Sequence, residues 1–190
     1  MPTATDASSP NWDIFAFHRL TDGTLKVFDP GTTFPPNPNN DILCPSGMAA
    51  SGKGFLAVEY GIANDGSKQN IITYRITSTG GLEEITNSII ATNSTGFALR
   101  FDPTGNFLAV AGNGGAGVFR LNANGTLAPL GHLVEPGIMF RDVHWDAAGH
   151  VYAISNSALY VFSLHNNGLS LTGSPHPFPN AGSLAVLPIR

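Results

Sequence analysis

Three apolar runs recur along the chain: "FLAVEY" at residues 55–60, "FLAVA" at 107–111 and "VYAI" at 151–154. Each is apolar almost throughout, the pattern of a strand covered on both faces. Before the second and third runs, across a turn that ends in Gly, stand "ALRF" at 98–101 and "DVHW" at 142–145. There apolar and polar residues alternate imperfectly. Each pair predicts a β-hairpin, and "FDPTGNFLAVAGN" and "WDAAGHVYAISN" are two copies of one phrase.

A second phrase follows each first one. It reads "IFAFHRLTDGTL" from Ile14, "IITYRITSTGGL" from Ile71, "AGVFRLNANGTL" from Ala116 and "ALYVFSLHNNGL" from Ala158. The aromatic anchors Phe17, Tyr74, Phe119 and Phe162 are 57, 45 and 43 residues apart. Every copy passes through Asp-Gly, Gly-Gly or Asn-Gly, dipeptides that reach positive φ at little cost, so each also predicts a hairpin. Two hairpins in about 45 residues make a four-stranded antiparallel unit, and that period signals propeller blades.

The predicted fold is therefore all-β, built from four-stranded antiparallel blades of a β-propeller. The chain opens on an outer hairpin, holds about three full blades, and closes on one inner strand, "GSLAVLPIR" from Gly182. About fifteen strands are expected, which is an incomplete ring. The first two copies are longer, read as loop growth in "DPGTTFPPNPNND" and "YGIANDGSKQN". Phe107, Leu108, Val110, Phe119, Val151, Ile154 and Phe162 are the expected core. Residues 1–11 read as a disordered lead-in and 12–190 as the partial propeller, with no internal boundary and no helix.

Composition narrows the function classes. Charged residues make up 12% of the chain, about half the usual share, and net charge is −4. No run of five or more like charges occurs, so no nucleic-acid partner is expected. No apolar run reaches the roughly 18 residues of a membrane span, and none is expected. The first residues show no signal-peptide pattern; low charge and Asn-rich turns lean toward an extracytoplasmic home. Cys44 is the single cysteine, which excludes an internal disulfide.

"FDPTGNFLAVAGN", "WDAAGHVYAISN" and "SLTGSPHPFPNAGSLAVLP" resemble the lactonase-type seven-bladed propellers, which include 6-phosphogluconolactonase-like enzymes and YVTN-repeat proteins. The likeness runs from about Trp12 to Pro188 and matches the C-terminal half of such a ring. It implies Arg and His at the start of inner strands and a Glu after the following strand. Arg141 in "MFRDVHW" matches the Arg, with Phe140 in the place of a Pro. Ser46 stands where a His is expected, "STGFALRF" with Gly96 lacks the Arg-His pair, and Asn113 stands in the place of the Glu.

In this arrangement Ser46, Thr95 and Arg141 share one rim with Glu59, Asn113 and Asn156. A lactone hydrolase needs a cation for the developing oxyanion and a base for water. Arg141 is the candidate for the first, and Glu59 is the one carboxylate read at this rim. Two functions stay open. One is a non-catalytic binding or scaffold module that takes a small-molecule or carbohydrate-like ligand through Arg141, Glu59, Asn113, Asn156 and Ser46. The other is a lactone hydrolase of the 6-phosphogluconolactonase kind around Arg141. The departures at Ser46, Gly96 and Asn113 favour the first.

Other motifs carry less. "GNGGAG" at 112–117 fits the dinucleotide-binding glycine pattern, but a strand follows where a helix is required. "GMAASGKG" from Gly47 lacks the Ser or Thr of a phosphate-binding loop and also runs into a strand. The six histidines have no zinc spacing, so no metal and no cofactor are expected; His144 shares a strand face with Asp142. The unmatched ends of the array predict self-association or an N-terminal half supplied elsewhere.

Overall fold

The computed structural model describes residues 13–27, 32–33, 43–62, 65–85, 90–92 and 95–186. Among these residues every regular element is a strand. The lead-in expected over 1–11 and most of "DPGTTFPPNPNND" lie outside them.

Four units follow one another. The first holds β1 (Asp13–Ile14), β2 (Phe17–Arg19), β3 (Leu25–Val27) and β4 (Thr32–Thr33), with β1 on β4 and β2 on β3. The second runs β5 (Leu43–Ser51), β6 (Phe55–Ile62), β7 (Asp65–Ile76), β8 (Leu82–Glu84), with β9 (Ile90–Thr92) also on β7. The third is β10 (Thr95–Phe101), β11 (Phe107–Asn113), β12 (Gly115–Leu121), β13 (Leu127–Val134). The fourth is β14 (Phe140–Trp145), β15 (His150–Ser155), β16 (Ala158–His165), β17 (Gly168–Leu171), with β18 (His176–Pro177) also on β16. All pairings are antiparallel, and within each of the last three units four strands pair in chain order, so three full four-stranded blades and an outer hairpin are present.

The register shows why the phrases repeat. Leu56 pairs with Tyr74, Leu108 with Phe119 and Val151 with Phe162. Tyr74 then faces Glu84, Phe119 faces Pro129 and Phe162 faces Leu171. In the first unit Phe17 faces Val27, so β1 and β2 together correspond to the long third strand β7. The strand total exceeds fifteen because outer strands are split: β8 with β9, β17 with β18, β3 with β4, and β1 with β2. "YGIANDGSKQN" is not a grown loop either. β6 reaches Ile62 and β7 starts at Asp65, so most of the extra residues lengthen the hairpin.

The core lies between sheets, as a propeller requires, and not at one centre. Ile14 packs with Val58, Tyr60, Ile72 and Tyr74 between the first and second units. Leu99, Leu108, Val110 and Phe119 of the third unit meet Phe55, Ala57 and Ile71 of the second. Between the third and fourth units, Phe140, Tyr160 and Phe162 form an aromatic cluster, Phe140 edge-on to Tyr160 at 5.0 Å. Leu108, Val110, Phe119, Val151, Ile154 and Phe162 are all buried. Phe107 is half-buried and packs at the margin of the core, because it begins its strand next to the turn.

Polar bonds cross the same interfaces. Ser51 Oγ donates to Gly105 O at 3.1 Å, and Thr73 Oγ1 to Gly125 O at 2.7 Å. Trp145 Nε1 donates to Arg100 O at 2.9 Å. Gly105 sits at φ 69°, and a Cβ there would stand 2.5 Å from Ser51 Oγ. That position needs glycine both for its turn and for the approach of the neighbouring sheet.

The Asp of the repeated phrase folds its own turn. Asp102 Oδ1 accepts from Asn106 N and Phe107 N, each at 2.7 Å. Asp146 Oδ1 accepts from Ala148 N at 2.9 Å and His150 N at 2.8 Å. Asp146 Oδ2 takes the His150 ring at 2.8 Å and Tyr152 Oη at 3.0 Å. Burial alone would push the Asp146 pKa up; the bonds from His150 and Tyr152 outweigh it and hold the carboxyl below its ordinary value.

The closing inner strand is only partly realised. Residues 181–186 have no strand pairing, although Leu184 N donates to Asp142 Oδ2 at 3.0 Å and so anchors the segment on β14. A strand needs a partner to fill its hydrogen bonds, and no second strand follows this one among the described residues.

Candidate functional site

Each inner strand of the three full units carries a β-bulge near its rim end. The register shifts between Pro45 and Gly47, between Gly96 and Ala98, and between Phe140 and Asp142. The extra residues are Ser46, Phe97 and Arg141. All three stand at the shift in register, so these positions correspond. Thr95, expected to match Ser46 and Arg141, lies two residues nearer the strand start and pairs with Asn113.

The register also moves Glu59. Gly47 pairs with Glu59, Ala98 with Ala111 and Asp142 with Ile154. Glu59 therefore corresponds to Ala111 and Ile154, two residues inward of Asn113 and Asn156, whose counterpart is Gly61. Glu59 is 0% exposed. It shares a β6 face with Phe55 and Ala57, which point into the interface with the third unit. Its carboxyl belongs between blades and not on the solvated rim.

Arg141, Asn113, Asn156 and Ser46 are exposed. Arg141 Nε donates to Asn156 Oδ1. Among the described residues Arg141 makes no ion pair, so a neutral amide orients its guanidinium and leaves its charge uncompensated. Ser46 Oγ donates to Glu59 O at 3.4 Å. Asn113 bridges to Met139, tying the rim of the third unit to that of the fourth. Asn180 N donates to Asn156 O at 2.9 Å and Phe178 N to Ser157 O at 2.8 Å, so residues 178–180 brace the Arg141 side of the rim. Arg141 and Asn156 are thus brought together, while Glu59 is separated from them by the whole third unit.

One cluster below the rim escaped the sequence reading in part. Arg100 and His144 hold corresponding places on β10 and β14, where the second unit has Ala49. Asp142 lies between them: Arg100 Nη2 is 3.7 Å from Asp142 Oδ1, and His144 Nε2 is 3.6 Å from Asp142 Oδ2. Val143 N and Leu184 N also donate to Asp142. The alternation of Asp142 and His144 was legible in "DVHW". The part played by Arg100, 42 residues earlier, follows only from the pairing of blades.

The two tempting motifs resolve as hairpins. Gly112 pairs with Gly115 across a tight turn, so "GNGGAG" links β11 to β12. "GMAASGKG" is the end of β5 and its turn into β6. Among the described residues no helix is long and apolar enough to cross a membrane.

No protein-family model matches the chain, and no curated protein matches it. Solved structures do. A candidate 6-phosphogluconolactonase from Bacteroides uniformis aligns over 96% of this chain and 53% of its own, with TM-score 0.59 and 20% identity. A protein of unknown function from Desulfotomaculum acetoxidans aligns over 85% and 48%, with TM-score 0.63 and 17% identity. A luciferin-regenerating enzyme aligns over 97% and 64%, with TM-score 0.57 and 14% identity. The chain spans about half to two-thirds of the length of these proteins. At such identities the likeness is one of architecture, and the chain has a lactonase-like β-propeller fold.

Proposed function

We propose that this chain is a non-catalytic binding module of the lactonase-like propeller kind, which holds a small carbohydrate-like ligand at its rim by an anionic group on Arg141. The observation that carries this reading is the pairing of Arg141 with Asn156 and, among the described residues, with no carboxylate. An amide fixes the side chain without neutralising it, and the planar guanidinium keeps Nη donors for a carboxylate or phosphate. Asn113, Asn156 and Ser46 supply hydroxyl and amide groups suited to sugar hydroxyls.

Lactone hydrolysis around Arg141 is the second reading, favoured by the match of "MFRDVHW" to the lactonase pattern. It requires a base within reach of the same water. Glu59 would have to leave the interface between the second and third units to serve, which favours binding over turnover.

Calorimetric titration with sugar acids, sugar phosphates and the matching neutral sugars tests the proposal. The anionic ligands should bind at least tenfold more tightly than the neutral ones, and Arg141→Ala should remove the difference. Equal binding of both classes would overturn it. A parallel screen with sugar lactones separates the readings: turnover by the native chain that Arg141→Ala abolishes would establish the hydrolase instead.

A further inference from the structure

Outside the first unit, four large apolar side chains stand exposed among the described residues: Met48, Met139, Leu171 and Phe178. Two of them flank Arg141. Met139 precedes it by two residues and bridges Asn113. Phe178 approaches from the other side, on the segment that follows β18, and at 57% it is the most exposed of the four.

The backbone fixes where that ring stands. His176 pairs with Leu159 and Pro177 with Ala158 at the start of β16. Phe178 N donates to Ser157 O at 2.8 Å and Asn180 N to Asn156 O at 2.9 Å. Asn156 Oδ1 in turn accepts from Arg141 Nε. Phe178 and Arg141 are therefore tied to adjacent residues of one turn, Ser157 and Asn156. Pro177 and Pro179 lock their own φ and restrict His176 and Phe178 before them to extended backbone. Asn180 then turns the chain at φ 63°, a left-handed conformation that Asn accepts more readily than most residues. All of this bracing uses main-chain atoms. It needs a rigid backbone at 178 and no phenyl ring there.

We infer, resting on the reading of Arg141 as the anchor of an anionic ligand, that Phe178 is the platform on which the ring of that ligand stacks, so that the site selects a cyclic sugar acid over an open-chain one. An aromatic ring has a negative face. The C–H groups on one face of a pyranose bring apolar surface and slight positive charge to it. The hydroxyls then project from the edge of the sugar, toward the amides of Asn113 and Asn156, and the carboxylate takes the Nη donors of Arg141. Met139 adds apolar surface on the side of the third unit. An open-chain sugar acid offers the same carboxylate and hydroxyls but no flat face, and it loses internal rotations on binding. A platform set between two prolines loses little freedom when a ring settles on it.

Calorimetric titration with glucuronate, gluconate and methyl glucoside tests the platform. The native chain should bind glucuronate, a ring, about tenfold more tightly than gluconate, an open chain with one carboxylate. Phe178→Ala should abolish that preference and weaken methyl glucoside to a similar degree, while gluconate stays within about twofold. Phe178→Trp should keep the preference. Equal binding of ring and open chain by the native protein, or a ring preference that survives Phe178→Ala, would overturn the inference and leave the Arg141 reading standing. If instead Phe178→Ala abolishes the ring preference but Arg141→Ala leaves glucuronate favoured over methyl glucoside, the Arg141 reading falls and the platform stands. Native protein that binds none of the three refutes both. Fluorescence of Phe178→Trp, taken as the difference from the native chain, gives an independent readout. It should show the long-wavelength emission of an indole in water and move to the blue on addition of methyl glucoside. Blue emission without sugar would show the position covered by protein and would overturn the platform.

Discussion

Phe17 and Phe162 occupy one register position in one repeated phrase, yet Phe17 is 54% exposed and Phe162 is 0% exposed. Both sit on the third strand of a unit, and both follow an apolar run and precede a Gly turn. The difference lies in what packs in front. Phe162 has the aromatic ring of Phe140 beside it and the third unit ahead, whereas the first unit has no described sheet ahead of it. Local pattern thus determines the strand and the direction of each side chain, while burial is conferred by the neighbouring blade. In a repeat array the stability of a unit is shared with its interfaces.

The largest expected effect separates these two residues. Phe162→Ala should destabilise by about 3–5 kcal/mol, as buried Phe truncations do. Phe17→Ala should change stability by no more than about 0.5 kcal/mol. Urea unfolding checks both. Similar losses for the two would mean that the first unit is covered after all.

The Gly turns give an intermediate contrast. Asp146→Ala removes four hydrogen bonds from a partly buried turn and should cost about 1.5–3 kcal/mol. Asp22, in the exposed turn between β2 and β3, accepts only from Thr24 N and Oγ1, and Asp22→Ala should be nearly silent. The folded pKa of Asp146 is held below its unfolded value. Its stabilisation is therefore full above the unfolded pKa of about 4 and is lost as pH falls through the folded one. Thermal melts below pH 4 should show that loss in the native chain and a flatter profile in Asp146→Asn.

The smallest effect concerns Tyr74, the polar member of the Phe17, Tyr74, Phe119 and Phe162 series. Its hydroxyl is buried with no hydrogen-bond partner among the described residues. Tyr74→Phe should be neutral or stabilising by about 1 kcal/mol. Burial, with Glu84 next, also raises the pKa of Tyr74 and of Tyr60. Their contribution is complete below the unfolded pKa of about 10 and is lost as pH rises above it. Tyr74→Phe should therefore extend the stable range at alkaline pH.

These contrasts also mark what the sequence discloses. The aromatic anchors and Gly dipeptides carried the blade, its antiparallel order and six of the seven expected core positions, because strand alternation and turn chemistry are local. Ser46 and Arg141, placed on one rim by the sequence, both stand at the bulge of an inner strand of recognisable composition. The match of Glu59 with Asn113 and Asn156 failed by two residues. No bulge falls in this part of β6 or β11: counting from Phe55 and Phe107 puts Glu59 level with Ala111, so the slip lay in matching strand ends and not in the sheet. Arg100 stayed hidden because its partner Asp142 belongs to another blade.

The divided outer strands have a consequence for solubility. β3, β8, β9, β17 and β18 each run for four residues or fewer. The exception, β13, has eight and contains Pro129, which has no amide hydrogen to donate. Unpaired strand edges recruit other strands into fibrils, and short or proline-bearing edges resist this. Fusing β17 to β18 by deleting the intervening turn, or replacing Pro129 with Val, would build a longer adhesive edge on the outer wall, where the native chain interrupts it in every unit.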